Sequence, residues 1–121
     1  MKLVEIQALL AAEVVAGENW MNKEASSVCG ADLMSDVLAF TKERTLLLTG
    51  LNNLQVIRTA EMSDLVGIVF VRGKRPNCDL IRLAEEKGIP LLVCKHPLYE
   101  ACGMLYRKGL PGCSMQVTDC D

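Results

Sequence analysis

Three short polar segments contain most of the side chains in this sequence that could bind a charged ligand. The segments are residues 49–53, 71–75 and 94–97, and each directly follows an apolar run. In an open parallel sheet, ligands bind beyond the carboxyl ends of the strands, where helix N-termini present unpaired N–H groups. The segments therefore predict an anion or nucleotide pocket. Its candidate ligand-binding residues are Thr49, Gly50, Asn52, Asn53, Arg72, Gly73, Lys74 and His96.

The same residues also have an ordinary structural interpretation. Gly and Asn are common in turns and helix caps, and charged side chains in loops are usually solvated. Neither Gly50 nor Gly73 begins the GxxxxGKS or GxxxxGKT phosphate loop or the GxGxxG dinucleotide motif, which argues against nucleotide hydrolysis. We therefore expect binding without catalysis, assign no catalytic residues, and predict that the chain is not an enzyme.

Cysteine and histidine offer a second kind of chemistry in the last third of the chain. Cys94, His96, Cys113 and Cys120 could ligate zinc or an iron–sulfur cluster. However, no CxxC pair occurs, so burial of the cysteines as small apolar side chains is the competing explanation. Cys94 and His96 could also pair as a nucleophile and a base. We predict no cofactor, with a metal or cluster on these four residues as the alternative.

Composition and charge exclude several classes of protein. Hydrophobic residues make up 50% of the 121 residues, aromatic residues only 4%, and the net charge is -2. Because no cluster of Lys and Arg lies beside aromatic residues, nucleic acid is not an expected partner. The first residues lack the apolar run of a signal peptide, and no stretch reaches the roughly 20 apolar residues of a membrane span. The sequence predicts a cytoplasmic protein without membrane contact and with reduced cysteines.

Three continuous apolar runs alternate with helical patterns in the second half of the chain. Residues 45–49, 67–71 and 89–93 are predicted strands, and their unbroken hydrophobicity indicates that both faces of the sheet are covered. Helices between successive strands imply right-handed crossovers. The sequence therefore predicts an α/β fold with three layers, α/β/α, and a mainly parallel sheet. Further strands are expected at residues 13–16 and 25–32, and helices at residues 3–12, 34–42, 54–62, 77–87 and 98–108.

Four segments of the chain resemble the DRTGG domain family. They are residues 48–50, 55–62, 68–76 and 100–106, and the resemblance makes residues 1–110 one DRTGG-like α/β domain and residues 111–121 a C-terminal tail. More narrowly, the sequence is similar to free-standing members of anaerobic bacteria that are often encoded near iron-only hydrogenases. It departs from the name motif at two places. Leu51-Asn52-Asn53 replaces the expected acidic and basic pair, and Val71-Arg72-Gly73 stands at the later Thr-Gly-Gly.

The resemblance implies a domain similar to the N-terminal domain of HPr kinase/phosphorylase, with a regulatory or dimerising role. We therefore predict a homodimeric, non-catalytic regulatory module that senses an anionic small molecule or contacts a partner protein. Its expected context is hydrogenase or anaerobic redox metabolism. The alternative is a cysteine-dependent accessory protein that carries a metal or an iron–sulfur cluster for a hydrogenase system.

Overall fold

Within residues 1–113, which the computed structural model describes, the chain forms five strands and five α-helices. In chain order they are α1 (Leu3–Leu10), β1 (Glu13–Ala16), β2 (Ser27–Gly30), α2 (Met34–Phe40), β3 (Thr45–Thr49), α3 (Leu54–Met62), β4 (Gly67–Phe70), α4 (Cys78–Lys87), β5 (Leu91–Val93) and α5 (Leu98–Arg107). A short 3-10 helix, Glu18–Trp20, follows β1. The bounds of β1, β3 and α3 are those predicted, and the other elements are shorter than predicted by one or more residues.

The strands form a single sheet in the order β1-β5-β4-β3-β2. The pairs β2–β3, β3–β4 and β4–β5 are parallel, whereas β1 runs antiparallel to β5 at one edge. The prediction of a mainly parallel sheet is therefore confirmed. The direction of β1 did not follow from the sequence, because no crossover helix joins β1 to β2 and the handedness rule does not constrain that connection.

Helices cover both faces of the sheet, which confirms the predicted α/β/α layers. On one face, α1 and α5 pack through residues such as Ile6 and Leu105 onto Leu46 and Leu92. On the other face, α2, α3 and α4 pack onto a second core that includes Phe70. All residues of β3, β4 and β5 are buried, as continuous apolar runs require in a sheet covered on both sides.

Local signals determine where helices begin and end. The side-chain oxygen of Asn77 accepts a hydrogen bond from the Leu80 N–H at 2.9 Å and caps the N-terminus of α4. Gly88 ends this helix with a left-handed φ of 69°, which glycine adopts without strain. Helix α1 ends at Leu10, earlier than predicted, because Ala11 adopts a left-handed φ of 50°.

The carboxyl ends of β2, β3, β4 and β5 lie at one edge of the sheet, because these strands are parallel. The segments that follow β3, β4 and β5 contain the polar residues singled out above, so the topology brings them to the same edge. Among the helices of residues 1–113, none combines the length and the hydropathy needed to cross a membrane.

Candidate functional site

The turn after β4 is hydrogen-bonded to the segment after β5. The Arg72 N–H donates to the His96 carbonyl at 3.0 Å, and the Gly73 N–H donates to the Cys94 carbonyl at 2.8 Å. Both turn residues are left-handed, with φ of 57° at Arg72 and 68° at Gly73. Glycine adopts this conformation readily, whereas it costs a residue with a side chain roughly 1 kcal/mol or more. The turn therefore holds Arg72 in a conformation that its own backbone does not prefer.

The loop after β3 is joined to the same turn through Asn52. The Asn52 side-chain amide donates to the carbonyl of Arg75 at 3.0 Å. The Arg75 guanidinium in turn donates to the two carboxylate oxygens of Glu13 at 3.1 and 2.8 Å. These hydrogen bonds and the opposite charges lower the pKa of Glu13 and raise that of Arg75. The three polar segments are thus adjacent, and Asn52 and Arg75 are engaged by the protein itself.

Asp32, just beyond the end of β2, organises the loop after β3. Its Oδ1 atom accepts hydrogen bonds from the Thr49 hydroxyl at 2.8 Å and from the Gly50 N–H at 2.9 Å. The Thr49 oxygen also accepts from the Leu51 N–H at 3.1 Å. Sequence reasoning placed Asp32 at the end of a strand but did not include it among the site residues. The signal that could have identified Asp32 is its position just beyond the end of a strand that pairs in parallel with β3.

A cavity of about 910 Å³ lies at this edge of the sheet, beside the N-terminus of α5. Its walls include three of the predicted ligand-binding residues, Gly50, Arg72 and Lys74. Asp32 and Glu100 also line it, so two carboxylates and two cations border the same space. Within residues 1–113, neither Arg72 nor Lys74 forms an ion pair. Their positive charges are therefore available to a ligand.

The first turn of α5 supplies further donors to this cavity. The first N–H groups of an α-helix have no acceptor within the helix, and they carry the positive end of the helix dipole. Leu98 and Tyr99 occupy this turn and line the cavity. The preceding residue, Pro97, provides no side-chain cap. An anion in the cavity would therefore lie close to unpaired N–H groups as well as to side-chain cations.

Several predicted ligand-binding residues lie outside this cavity. Thr49 is fully buried, and its hydroxyl is bonded to Asp32. Asn53 is exposed at the N-cap of α3, where its side chain makes no capping bond. Gly73 is exposed, and its N–H is occupied by the Cys94 carbonyl. The ligand-binding role of these residues, and of Asn52, stays a prediction.

A second cavity, of about 820 Å³, runs along α5 and contains the predicted residue His96. Tyr99, Tyr106 and Arg107 line it on the helix, and Gly112 lines it from the segment after the helix. Tyr99 borders both cavities and is 85% exposed. Gly30, Glu100 and Cys102 also border both cavities, so the two are contiguous. His96 lines the second cavity, whereas Arg72 and Lys74 line the first, and the His96 carbonyl accepts the Arg72 N–H.

The residues predicted as alternative metal ligands are not assembled into a site in the described part of the chain. The buried Cys94 thiol donates to the backbone carbonyl of His96 at 3.8 Å. Burial raises the pKa of Cys94, which favours the neutral thiol over a nucleophilic thiolate. Within residues 1–113, no group of three or more His, Cys, Asp or Glu side chains could hold a metal ion. Cys120 lies outside the described residues, so the metal alternative stays a prediction.

Comparisons with known proteins identify the family and a structural relative. The family model of the DRTGG domain matches residues 5–107. The structure is similar to the crystal structure of the CBS and DRTGG domains of the regulatory region of Clostridium perfringens pyrophosphatase, complexed with the activator diadenosine tetraphosphate. The TM-score is 0.70 at 19% sequence identity, and the likeness covers 98% of this chain and 51% of that chain. No curated protein matches the sequence.

The two comparisons differ in what they establish. At 19% identity the structural likeness shows a shared fold, and this chain spans about half the length of the protein that it resembles. The family match establishes more, because it covers most of the chain. Residues 5–107 extend from α1 to the end of α5, the helix that lines both cavities. This chain therefore belongs to the DRTGG domain family.

Proposed function

We propose that this chain is a non-catalytic regulatory module, which binds an anionic small molecule in the cavity lined by Gly50, Arg72 and Lys74. The position of that cavity carries the proposal. It lies beyond the carboxyl ends of parallel strands and beside the N-terminus of α5. This is the place where open α/β sheets bind phosphorylated ligands, because strand topology opens a crevice there and helix N–H groups attract negative charge.

The chemistry of the cavity favours a nucleotide or a phosphorylated metabolite. Arginine matches the oxygen atoms of a phosphate with paired N–H donors, and lysine adds a positive charge. The Asp32 carboxylate accepts hydrogen bonds from Thr49 and Gly50 and thereby holds the loop after β3 in place. The volume of about 910 Å³ is large enough for a ligand of nucleotide size rather than for a phosphate ion alone.

Membership of the DRTGG domain family and the solved relative support a regulatory role. In the relative, a DRTGG domain forms part of the regulatory region of an enzyme, and that region was crystallised with a nucleotide activator. The arrangement of Cys94 and His96 supports the absence of catalysis. His96 is the only histidine of the chain, and its backbone carbonyl accepts a hydrogen bond from the Cys94 thiol. The thiol and the imidazole are therefore not hydrogen-bonded as a nucleophile and its base would be.

Thermal denaturation with candidate ligands tests the proposal. The probes are inorganic phosphate, AMP, ATP and diadenosine tetraphosphate, each at the same ionic strength. A ligand at about 100 times its dissociation constant stabilises the folded state by about 2.7 kcal/mol. For a domain of this size, that corresponds to a rise in Tm of roughly 5 °C or more. We expect at least one nucleotide to produce a saturable rise of this size.

Two arginine variants separate the cavity from general electrostatic attraction. Arg72→Ala removes a cation of the cavity, and we expect it to abolish the ligand-induced rise. Arg58→Ala removes an exposed cation of α3 that lines neither cavity, and we expect it to keep the rise. If no anion raises the Tm, or if both variants lose the effect equally, a ligand site in this cavity is contradicted.

We further propose that the module is a cytoplasmic homodimer that regulates hydrogenase or anaerobic redox metabolism. Exposed apolar side chains such as Leu33, Tyr99 and Tyr106 offer surface for a second copy or a partner protein. The resemblance to free-standing members encoded near iron-only hydrogenases supports the metabolic context. Light scattering on the purified chain should give twice the mass of one chain, and a monomer at all concentrations would contradict the dimer.

A further inference from the structure

The segment that follows α5 lies beside the edge strand β2. The Val28 N–H donates to the Pro111 carbonyl at 2.9 Å, and the Cys113 N–H donates to the Val28 carbonyl at 3.2 Å. These two bonds make a parallel bridge between Val28 and Gly112. Only this short ladder joins residues 111–113 to the sheet in the described part of the chain. A covalent bond between β2 and residues 111–113 would therefore strengthen this contact.

The bridge places two cysteines next to each other. Cys29 and Cys113 each follow a bridge residue by one position, so they are register neighbours and their side chains share a face. Paired strands lie about 4.8 Å apart, within the roughly 4.4–6.8 Å of Cα separation that disulfides span. The Cys113 thiol also contributes to the raised pKa of Cys29, as a close neighbour would. Residues 84 positions apart in the sequence thus form an adjacent dithiol.

The other cysteines of the described chain have different surroundings. Cys102 lies on α5 against Gly30, on the sheet face opposite to Cys29. Cys94 is bonded to the His96 carbonyl. Cys78 is exposed at the start of α4. In the part of the chain that the structure describes, Cys29 and Cys113 are the two cysteines that a β-bridge places in register.

The dithiol adjoins the groove along α5. Val28 and Gly112, which form the bridge, both line the cavity of about 820 Å³, and so does Leu110. A covalent bond between the neighbouring cysteines would hold this wall in place. When the bond is absent, the two hydrogen bonds of the bridge hold the wall instead.

We propose that Cys29 and Cys113 form a redox-active dithiol, which a low-molecular-weight disulfide oxidises to an intramolecular disulfide that fixes residues 111–113 to β2. This modification would couple the thiol redox state of the surroundings to the shape of the groove along α5.

The reaction is a two-step thiol–disulfide exchange. The thiolate of one cysteine of the pair attacks one sulfur of the external disulfide, and the bond between the two external sulfurs breaks as the first small thiolate leaves. The thiolate of the other cysteine then attacks the sulfur of the mixed disulfide that belongs to the protein and displaces the second small thiolate. The two protons released by the cysteines are taken up by the two leaving thiolates. The protein dithiol loses two electrons, and the external disulfide gains them.

The environment of Cys29 favours its thiol over its thiolate. Burial, and then the neighbouring Cys113 thiol, raises the pKa of Cys29 to about 12.

Peptide mapping after defined redox treatment tests the proposal. The reduced full-length chain is equilibrated with mixtures of oxidised and reduced glutathione, quenched with an alkylating agent and digested. We expect the peptides of Cys29 and Cys113 to be joined, with the loss of two hydrogen atoms. Cys29→Ser and Cys113→Ser should each abolish the intramolecular product, whereas Cys78→Ser should retain it. Free, alkylated Cys29 and Cys113 at the most oxidising ratio, or a disulfide joining any other pair, would overturn the proposal.

Hydrogen exchange tests the structural consequence separately. In the oxidised chain, the amides of Val28 and Cys113 should exchange at least tenfold more slowly than in the reduced chain, because opening of the bridge then requires a larger local unfolding. Cys29→Ser should show no difference between the two redox conditions. If the disulfide forms while these amides exchange at an unchanged rate, the cysteines are oxidisable but do not fix the segment.

Discussion

The Asp32 carboxylate holds the Thr49 hydroxyl at 2.8 Å, and through this contact β2 is joined to the end of β3 by side chains as well as by the sheet. The same oxygen atom accepts the Gly50 N–H at 2.9 Å. One carboxylate therefore sets the conformation of the loop that forms a wall of the proposed ligand cavity. This relationship leads to the first of four predictions.

Removal of the Asp32 carboxylate should destabilise the domain and disturb the cavity. Asp32→Ala leaves the Gly50 N–H and the Thr49 hydroxyl without their acceptor, and we expect a loss of about 1–2 kcal/mol in the free energy of unfolding. Asp32→Asn keeps an oxygen atom in the same place, so it should lose less. Urea denaturation measures both values. If the two variants were equally stable, hydrogen bonding by Oδ1 would not be what the residue contributes.

The left-handed backbone at Arg72 predicts that Arg72→Gly and Arg72→Ala differ in stability but lose ligand binding equally. With φ of 57°, Arg72→Gly relieves conformational strain that Arg72→Ala retains. We expect the glycine variant to be more stable than the alanine variant by about 1 kcal/mol, as measured by chemical denaturation. Both variants should lose the ligand-induced rise in Tm equally. Equal stabilities would show that the turn relaxes when the side chain is removed.

The close approach of Gly30 to Cys102 predicts a coupled pair of substitutions. A Cβ atom at residue 30 would lie 2.6 Å from the Cys102 Sγ, so in Gly30→Ala either the Cys102 side chain or α5 must shift. We expect a loss of about 1–3 kcal/mol in the free energy of unfolding. In the double variant Gly30→Ala with Cys102→Ala, the sulfur is gone and most of this loss should disappear. A double-mutant cycle measures the coupling, and additive losses would contradict a direct clash.

The half-buried thiol of Cys29 predicts a dependence of stability on alkaline pH. Its pKa is raised to about 12, mainly by burial, while a thiol in an unfolded chain titrates near about 8.5. Below the unfolded value, both states keep the proton and the contribution to stability is complete. Between the two values, only the unfolded state ionises, so the free energy of unfolding falls as pH rises.

Urea denaturation in the presence of a reductant, from about pH 8 to about pH 10, checks this dependence. The unmodified chain should lose stability more steeply over this range than Cys29→Ser, which lacks the titrating thiol. Comparison of the two chains removes the contribution of lysine and tyrosine, which they share. Parallel curves for the two chains would mean that Cys29 ionises equally in the folded and unfolded states.

Much of the architecture followed from local features of the sequence. The unbroken apolar run at residues 45–49 predicted a strand buried on both sides, and the structure has β3 at those residues. The helix predicted at residues 77–87 is α4, and its limits depend on the Asn77 cap and the left-handed Gly88, which act within one helical turn. Such signals depend on the neighbouring residues alone, which is why they could be recognised before the strand order was known.

The candidate site was predictable only in part. Parallel strands required that the segments after β3, β4 and β5 meet at one edge, and this placed Arg72 and Lys74 near the cavity. The sequence could not indicate that Asp32 would occupy the Gly50 N–H, or that His96 would line a different cavity. These outcomes depend on the direction of individual side chains and on the position of α5, which long-range packing decides.

The sequence by itself thus determined the fold class, the family and the edge of the sheet where polar residues collect, because apolar periodicity and helix caps act locally. Only the tertiary structure decided the antiparallel direction of β1, the link from Asp32 to Thr49 and the adjacency of Cys29 and Cys113. Each of these is a contact between residues distant in sequence. Its formation depends on the order of strands in the sheet, for which no single segment carries a signal.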